Sequence, residues 1–297
     1  MSAAASAATR RTVAFLRRFV KPRIQSLTAP VRALQALVET LSPERRAPFA
    51  PQIPGDWTPA SGDAVSTLFY LHGGAFLIGS PRLFRYVSRE FARAGFDVFA
   101  PAYRLAPEHV FPAALDDVLR AYRTFVDARP GPFVILGDSA GGGLAVSLML
   151  RIRDEGLRPP IAAALSSPWV DLAATGPSMR ENEESDPLFT RKDILLGARA
   201  ALGRQSARNP LASPIYADLS GLPPMLVHVG ADEALRDDST RLVARARLAG
   251  VDARLEMWPC VPHAWQLMSF LPEARESRAK AIDFLKAQVA RASEVAE

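Results

Sequence analysis

Residues 137 to 141 read Gly-Asp-Ser-Ala-Gly, so Ser139 stands between two glycines, directly after the apolar run Phe133 to Leu136 and just ahead of a helical pattern that opens at Gly141. A serine at such a strand-to-helix turn is a candidate nucleophile for acyl transfer. The turn is sharp, a Cβ at either flank would crowd strand against helix, and the helix N-terminus favours negative charge near the hydroxyl. A phosphate-cradling loop would continue into Lys followed by Ser or Thr, and this one does not. A hydroxyl needs a base to take its proton, and in the chain order serine, acid, histidine that base lies downstream. Of four histidines, His72 and His109 precede Ser139, and His228 falls inside an apolar run, where a buried structural role is expected. His263, in the loop after the last apolar run, is the remaining candidate. A carboxylate must orient its ring, and Asp232 and Glu233 sit side by side after the run Met225 to Val229, with Asp237 as a third option.

These residues need a scaffold that delivers distant parts of the chain to one place. From residue 65 onward, short apolar runs alternate with helical patterns. The runs are Ser66 to Leu71, Asp97 to Ala100, Phe133 to Leu136, Ile161 to Leu165, Met225 to Val229 and Ala253 to Trp258. Helical periodicity covers Leu83 to Ala94, Ala113 to Ala128, Gly141 to Glu155, Asp238 to Ala249 and Glu273 to Ala292. That alternation predicts βαβ units, hence an α/β fold with a mostly parallel central sheet flanked by helices. In such sheets ligands bind beyond the carboxyl ends of the strands. The segments just past four of the runs, His72 to Phe76, Gly137 to Gly142, Gly230 to Glu233 and Pro259 to His263, therefore converge on one rim. The His72-Gly73-Gly74-Ala75 turn suits backbone N–H groups aimed at a developing oxyanion.

Composition narrows the setting. The chain has 297 residues, 48% hydrophobic and 23% charged, as expected of a globular protein. One cysteine, Cys260, excludes an internal disulfide framework and points to a reducing cytoplasm. The net charge of +5 is unevenly placed: residues 1 to 50 carry nine Lys and Arg against Glu39 and Glu44, a net of +7, and the remainder sums to −2. No basic stripe with interleaved aromatics crosses that remainder, which argues against a nucleic-acid partner. Thr12 to Val20 is broken by Arg17 and Arg18 and falls far short of the ~20 apolar residues that span a bilayer, so no stable membrane insertion is expected. The basic segment is expected to form amphipathic helices packed on the body, with a membrane-surface helix and a targeting segment as the alternatives.

Five motifs in order, His72-Gly73-Gly74-Ala75, Tyr103 to His109 (YRLAPEH), Phe111 to Asp117 (FPAALDD), Gly137 to Gly142 (GDSAGG) and Leu235-Arg236-Asp237, resemble the hormone-sensitive lipase-like family of bacterial esterases (family IV). The resemblance covers about residues 65 to 290, and the first 60 are similar only in a general way to that family's cap helices. It implies an α/β-hydrolase fold with a helical cap, residues 1–50 forming N-terminal cap helices and 51–297 the catalytic domain, with a cap insertion at about 172–210. Aligning Leu235-Arg236-Asp237 puts Glu233 in the register of the family's acid, with Asp232 as the alternative. The implied oxyanion donors are the amides of Gly74, Ala75 and Ala140, with Gly73 as a register-shifted option; Ala75 replaces the family's usual third glycine. Phe76, Leu188, Phe189 and Trp265 offer apolar surface for a substrate pocket, and His72 is expected to be structural. The implied activity is a serine carboxylesterase acting on small-molecule esters of short to medium acyl chains through an acyl-enzyme, needing neither metal nor organic cofactor. An amidase, lactonase or deacetylase using the same triad, or a ligand-binding module on the same fold, are the alternatives, and a homodimer is left open.

Overall fold

Strands buried on both faces read as mostly apolar runs, and the five inner strands of the seven here do so, whereas the two edge strands are only partly buried. The computed structural model describes residues 5–296. Its strands are β1 (Gly55–Thr58), β2 (Ser66–Leu71), β3 (Phe96–Pro101), β4 (Phe133–Asp138), β5 (Ala162–Ser166), β6 (Met225–Gly230) and β7 (Ala253–Trp258). They form one sheet in the order β1-β3-β2-β4-β5-β6-β7, parallel throughout except that β1 runs antiparallel to β3 at the edge. The strand β1 is absent from the sequence reading because Gly-Asp-Trp-Thr is short and carries no apolar alternation. The others lie within one or two residues of the expected runs.

The helices are α1 (Ala7–Phe15), α2 (Thr28–Leu41), α3 (Arg85–Arg93), α4 (Ala113–Ala128), α5 (Ala140–Asp154), α6 (Ser178–Glu181), α7 (Arg191–Leu202), α8 (Arg236–Leu248) and α9 (Pro272–Ala296). Alternate side chains of a strand leave on opposite faces, and β2 shows the result. Phe69 and Leu71 join the core under α4, α5 and α8, whereas Leu68 and Tyr70 join the core under α3 and α9. Helices thus cover both faces of the sheet, and the molecule has the α/β-hydrolase fold with a helical cap.

Two further segments add helices outside the sheet layers. Residues 172–210 hold α6 and α7, the latter opened by a reciprocal cap in which Thr190 and Asp193 bond each other's backbone N–H groups. The basic N-terminal segment supplies α1 and α2. Ser6, which caps α1, and Thr9 within it bond the Glu273 carboxylate at the start of α9. Against the usual orientation, α2 turns its polar residues inward: Arg32 donates to the carbonyls of Leu77 and Ala106 at 2.9 and 2.7 Å, and Gln35 accepts from Gly79 N–H at 2.9 Å. Those loop groups need partners, and the helix supplies them.

The helix α5 is buried on every side, and Gly143 is where it comes nearest to its neighbour: a Cβ there would lie 2.0 Å from the carbonyl oxygen of Trp169. Gly143→Ala must push α5 off the 168–170 turn, at a cost of about 1–3 kcal/mol for overpacking. The expected outcome is a thermal midpoint lowered by several degrees, measured by calorimetry; an unchanged midpoint would show that the helix docks with slack.

Candidate active site

The β4-to-α5 turn forces Ser139 into φ +53° and ψ −123°, a conformation that costs a non-glycine residue about 1–3 kcal/mol. Four backbone bonds hold it there. Ser139 N–H donates to Ser166 C=O at 2.8 Å, and Ser139 C=O accepts from Gly142, Gly143 and Trp169 N–H at 3.0, 3.1 and 2.9 Å. The flanking Gly141 has no room for a side chain, since a Cβ would lie 2.1 Å from the Leu71 carbonyl oxygen. The hydroxyl is thereby lifted off the sheet at the N-terminus of a long helix.

Ser139, His263 and Glu233 come together in one row. Ser139 Oγ lies 2.8 Å from His263 Nε2, and His263 Nδ1 lies 2.7 Å from Glu233 Oε2. Glu233 is fully buried, and its other oxygen accepts from Ser167 Oγ at 2.7 Å and Gly230 N–H at 2.6 Å. Burial works to raise the Glu233 carboxyl, and the imidazole and these donors oppose it. Burial by itself would lower His263, but the Glu233 carboxylate outweighs it, aided by Asp186 and Asp138, so the imidazolium is held above its ordinary value. An ordered row of this kind can take a proton from Ser139 Oγ and store it on a stabilised imidazolium.

The adjacent carboxylates part ways. Glu233 points into the row, while Asp232 is partly exposed and its backbone carbonyl, not its side chain, takes part in the nearby contacts, accepting from Ser185 Oγ at 3.3 Å. Asp237 accepts from Ser178 N–H at 2.8 Å and pairs with Arg236, fastening α8 to α6.

Beside the hydroxyl, the amides of Gly74, Ala75 and Ala140 have no acceptor among the described residues. Gly73 is different: its N–H is already taken by Asp138 Oδ2 at 3.0 Å, which removes it as a register-shifted donor. Ala75 and Phe76 both hold positive φ, +56° and +61°, so the turn that has alanine for glycine is strained. His72 is buried, stacked on Tyr103 with centroids 4.4 Å apart, and bonded through Nδ1 to Gly73 C=O; burial lowers it to about 4, so it stays neutral. His228 is likewise buried and lowered to about 4, against Ser277.

The apolar candidates divide. The Phe189 ring meets His263 edge-on at 5.2 Å, and Leu188 is half-buried next to it. Phe76 lines a narrow cavity of about 30 Å³ with Phe111, Leu144, Leu172 and Leu211. Phe76, Phe111 and Leu172 also pack in the cluster that contains Ala140, the residue after Ser139. Trp265 does not belong here. Ala264 turns left-handed at φ +49° and sends Trp265 into a separate core with Trp258 and Leu271, its indole N–H donating to Glu273 C=O at 3.2 Å.

Four residues absent from the sequence reading of the site support it. Ser167 sits one residue past β5, so the rule of looking beyond strand ends reaches it. Asp138 bridges Tyr70 OH at 2.7 Å and the Gly73 amide, tying the oxyanion turn to the serine's own strand. Asp186, fully buried, accepts from Leu188, Phe189 and Ala234 N–H at 2.7, 3.0 and 2.7 Å. Asn182 donates to Ala231 and Glu233 carbonyls at 2.9 and 2.8 Å. Nothing in sequence spacing pairs these cap residues with the 231–234 turn. Among the described residues no group of three or more His, Cys, Asp or Glu side chains is placed to hold a metal ion, and no helix is long and apolar enough to cross a membrane.

A sheet of this topology with a serine at the β4–α5 turn defines an α/β-hydrolase. Comparison with known proteins narrows the class: residues 68–267 match the model of a family described by its alpha/beta hydrolase fold. An acetyl-hydrolase of Streptomyces hygroscopicus is 40% identical over 235 residues, covering 78% of this chain and 79% of that protein. An esterase of Acinetobacter venetianus is 33% identical over 235 residues, covering 77% and 78%. The crystal structure of an esterase from the bacterial hormone-sensitive lipase family superposes with a TM-score of 0.85 at 38% identity, covering 97% of this chain and all of that one. The chain belongs to the alpha/beta hydrolase family, in its hormone-sensitive lipase-like branch, and is a hydrolase with carboxylesterase activity.

Burial pushes the Asp138 carboxyl up from 3.8 to about 6. A folded value above the unfolded one contributes stability that is complete below about pH 4 and is lost as pH rises through about 6. Asp138→Asn is expected to flatten the thermal midpoint across that window; a slope equal to that of the unaltered protein would refute the assignment.

Proposed function

We propose that the protein is a serine carboxylesterase that cleaves short- to medium-chain acyl esters of small molecules through a covalent acyl-enzyme. The observation that carries this reading is the row from Ser139 Oγ through His263 to Glu233, at 2.8 and 2.7 Å. Ser139 attacks the ester carbonyl while His263 Nε2 takes its proton, and the N–H groups of Gly74, Ala75 and Ala140 receive the oxyanion. His263 returns the proton to the departing alkoxide, then activates water, which releases the acid by the same steps in reverse. Glu233 holds the ring and stabilises its cation. No step calls for a metal or organic cofactor.

An acetyl-hydrolase among the relatives supports short acyl groups. The helices of residues 1–50 and the 172–210 segment act together as the cap, and the lone Cys260 supports a cytoplasmic setting. A carboxylesterase is favoured over a binding module because such a module has no use for a base poised on a serine hydroxyl.

Hydrolysis of p-nitrophenyl esters from acetate to laurate tests the reading. Turnover is expected to be greatest on the short esters, to fall about 10⁴-fold or more in Ser139→Ala, and to fall far more in Glu233→Gln than in Asp232→Asn. Full activity in Ser139→Ala would overturn it. The base must be neutral and its conjugate acid is stabilised, so the acidic limb of the pH–rate profile is expected above 6.5. In Glu233→Gln, the residual activity should show that limb moved to lower pH.

A further inference from the structure

The polar residues of α2 face the body, which leaves its apolar side to solvent. Leu34, Leu37 and Leu41 recur at helical spacing on one stripe and are 50%, 54% and 73% exposed. A second exposed apolar pair spans the end of α1 and the turn after it: Phe15 and Phe19 are 56% and 49% exposed, their centroids 5.3 Å apart. Apolar surface of this kind, gathered on one segment, marks an interaction site.

Charge indicates the partner. None of Arg10, Arg11, Arg17, Arg18, Lys21 and Arg23 forms an ion pair among the described residues, and the Arg18 guanidinium lies 5.4 Å over the Phe19 ring. The first 50 residues carry +7, so two copies meeting through this face would set like charge against like. Exposed aromatic and leucine side chains among unpaired cations suit an anionic lipid surface instead. The segment also borders the candidate site. Lys21 Nζ donates to Asp186 C=O at 2.8 Å, three residues before Phe189, and Arg32 reaches Leu77, three residues after Gly74.

We propose that α1, α2 and the turns between them form a face that adsorbs on anionic lipid–water interfaces without inserting across them, holding the rim of the site against acyl esters gathered there. Cosedimentation of the full chain with large unilamellar vesicles tests this. The protein is expected to bind phosphatidylglycerol-containing vesicles at low salt, to leave them at high salt, and to bind phosphatidylcholine vesicles weakly. The double variant Leu34→Asp/Leu37→Asp should weaken binding about tenfold or more. Arg11→Gln/Arg18→Gln should weaken it about fivefold per charge removed and reduce its salt dependence. Both variants are expected to keep normal turnover of p-nitrophenyl acetate in water, which reports an intact fold and separates this proposal from the assignment of the esterase site. Absence of binding by the unaltered protein, or equal binding by the variants, would overturn the proposal. So would a concentration-dependent dimer, seen by light scattering without lipid and abolished by Leu34→Asp/Leu37→Asp, because a second copy would then cover the stripe.

Discussion

One peptide unit sets the geometry of the whole molecule. The Ser139 backbone sits in a conformation that only its surroundings can sustain, and those surroundings are the end of β5, the turn at Trp169, the first turn of α5 and the carbonyls that close β2. Each bond that holds the serine also fixes one of these elements relative to the others. The strain is therefore shared by the sheet's centre, where strands are buried on both faces and cannot shift without opening the core. A reactive hydroxyl at this turn is rigid because the fold is.

From that junction the site extends by electrostatics. Glu233 is a fully buried carboxylate, which is tolerable only because every available donor converges on it: a hydroxyl, a backbone amide and an imidazole. Asp138 plays a parallel part on the other side of the serine, bonded to a phenol and to the turn that carries the free amides. The two carboxylates act at different places, one on the histidine and one on the oxyanion turn, and both bias His263 toward holding a proton.

How much of this was legible in the sequence followed the length scale of each signal. Apolar runs and glycine spacing are local, so Ser139 and six of the seven strands could be read directly, as could His263 once chain order was imposed. Favouring Glu233 over Asp232 rests on the family register, because two adjacent carboxylates are equivalent until the backbone turn decides which enters the protein, and here Glu233 is the one buried against His263. Trp265 was misplaced because an aromatic residue two positions from a site histidine looks like a pocket wall, and only the left-handed Ala264 shows that the chain has turned away. The inverted packing of α2 was invisible for a related reason: periodicity shows that a helix has two faces, but which one meets the body depends on the unpaired loop groups of Leu77, Gly79 and Ala106 beneath it.

The 178–186 segment is tied to the turn that carries Glu233. Asn182 and Asp186 bond the Ala231 to Ala234 stretch through three contacts, and Ser178 Oγ adds a fourth to Ala234 C=O at 2.7 Å. Were that segment to hinge away as a rigid body, it would pull on the very peptides that hold Glu233 in place. These bonds make residues 178–186 and the 231–234 turn one mechanical unit, so that a displacement of either is felt at the Glu233 backbone.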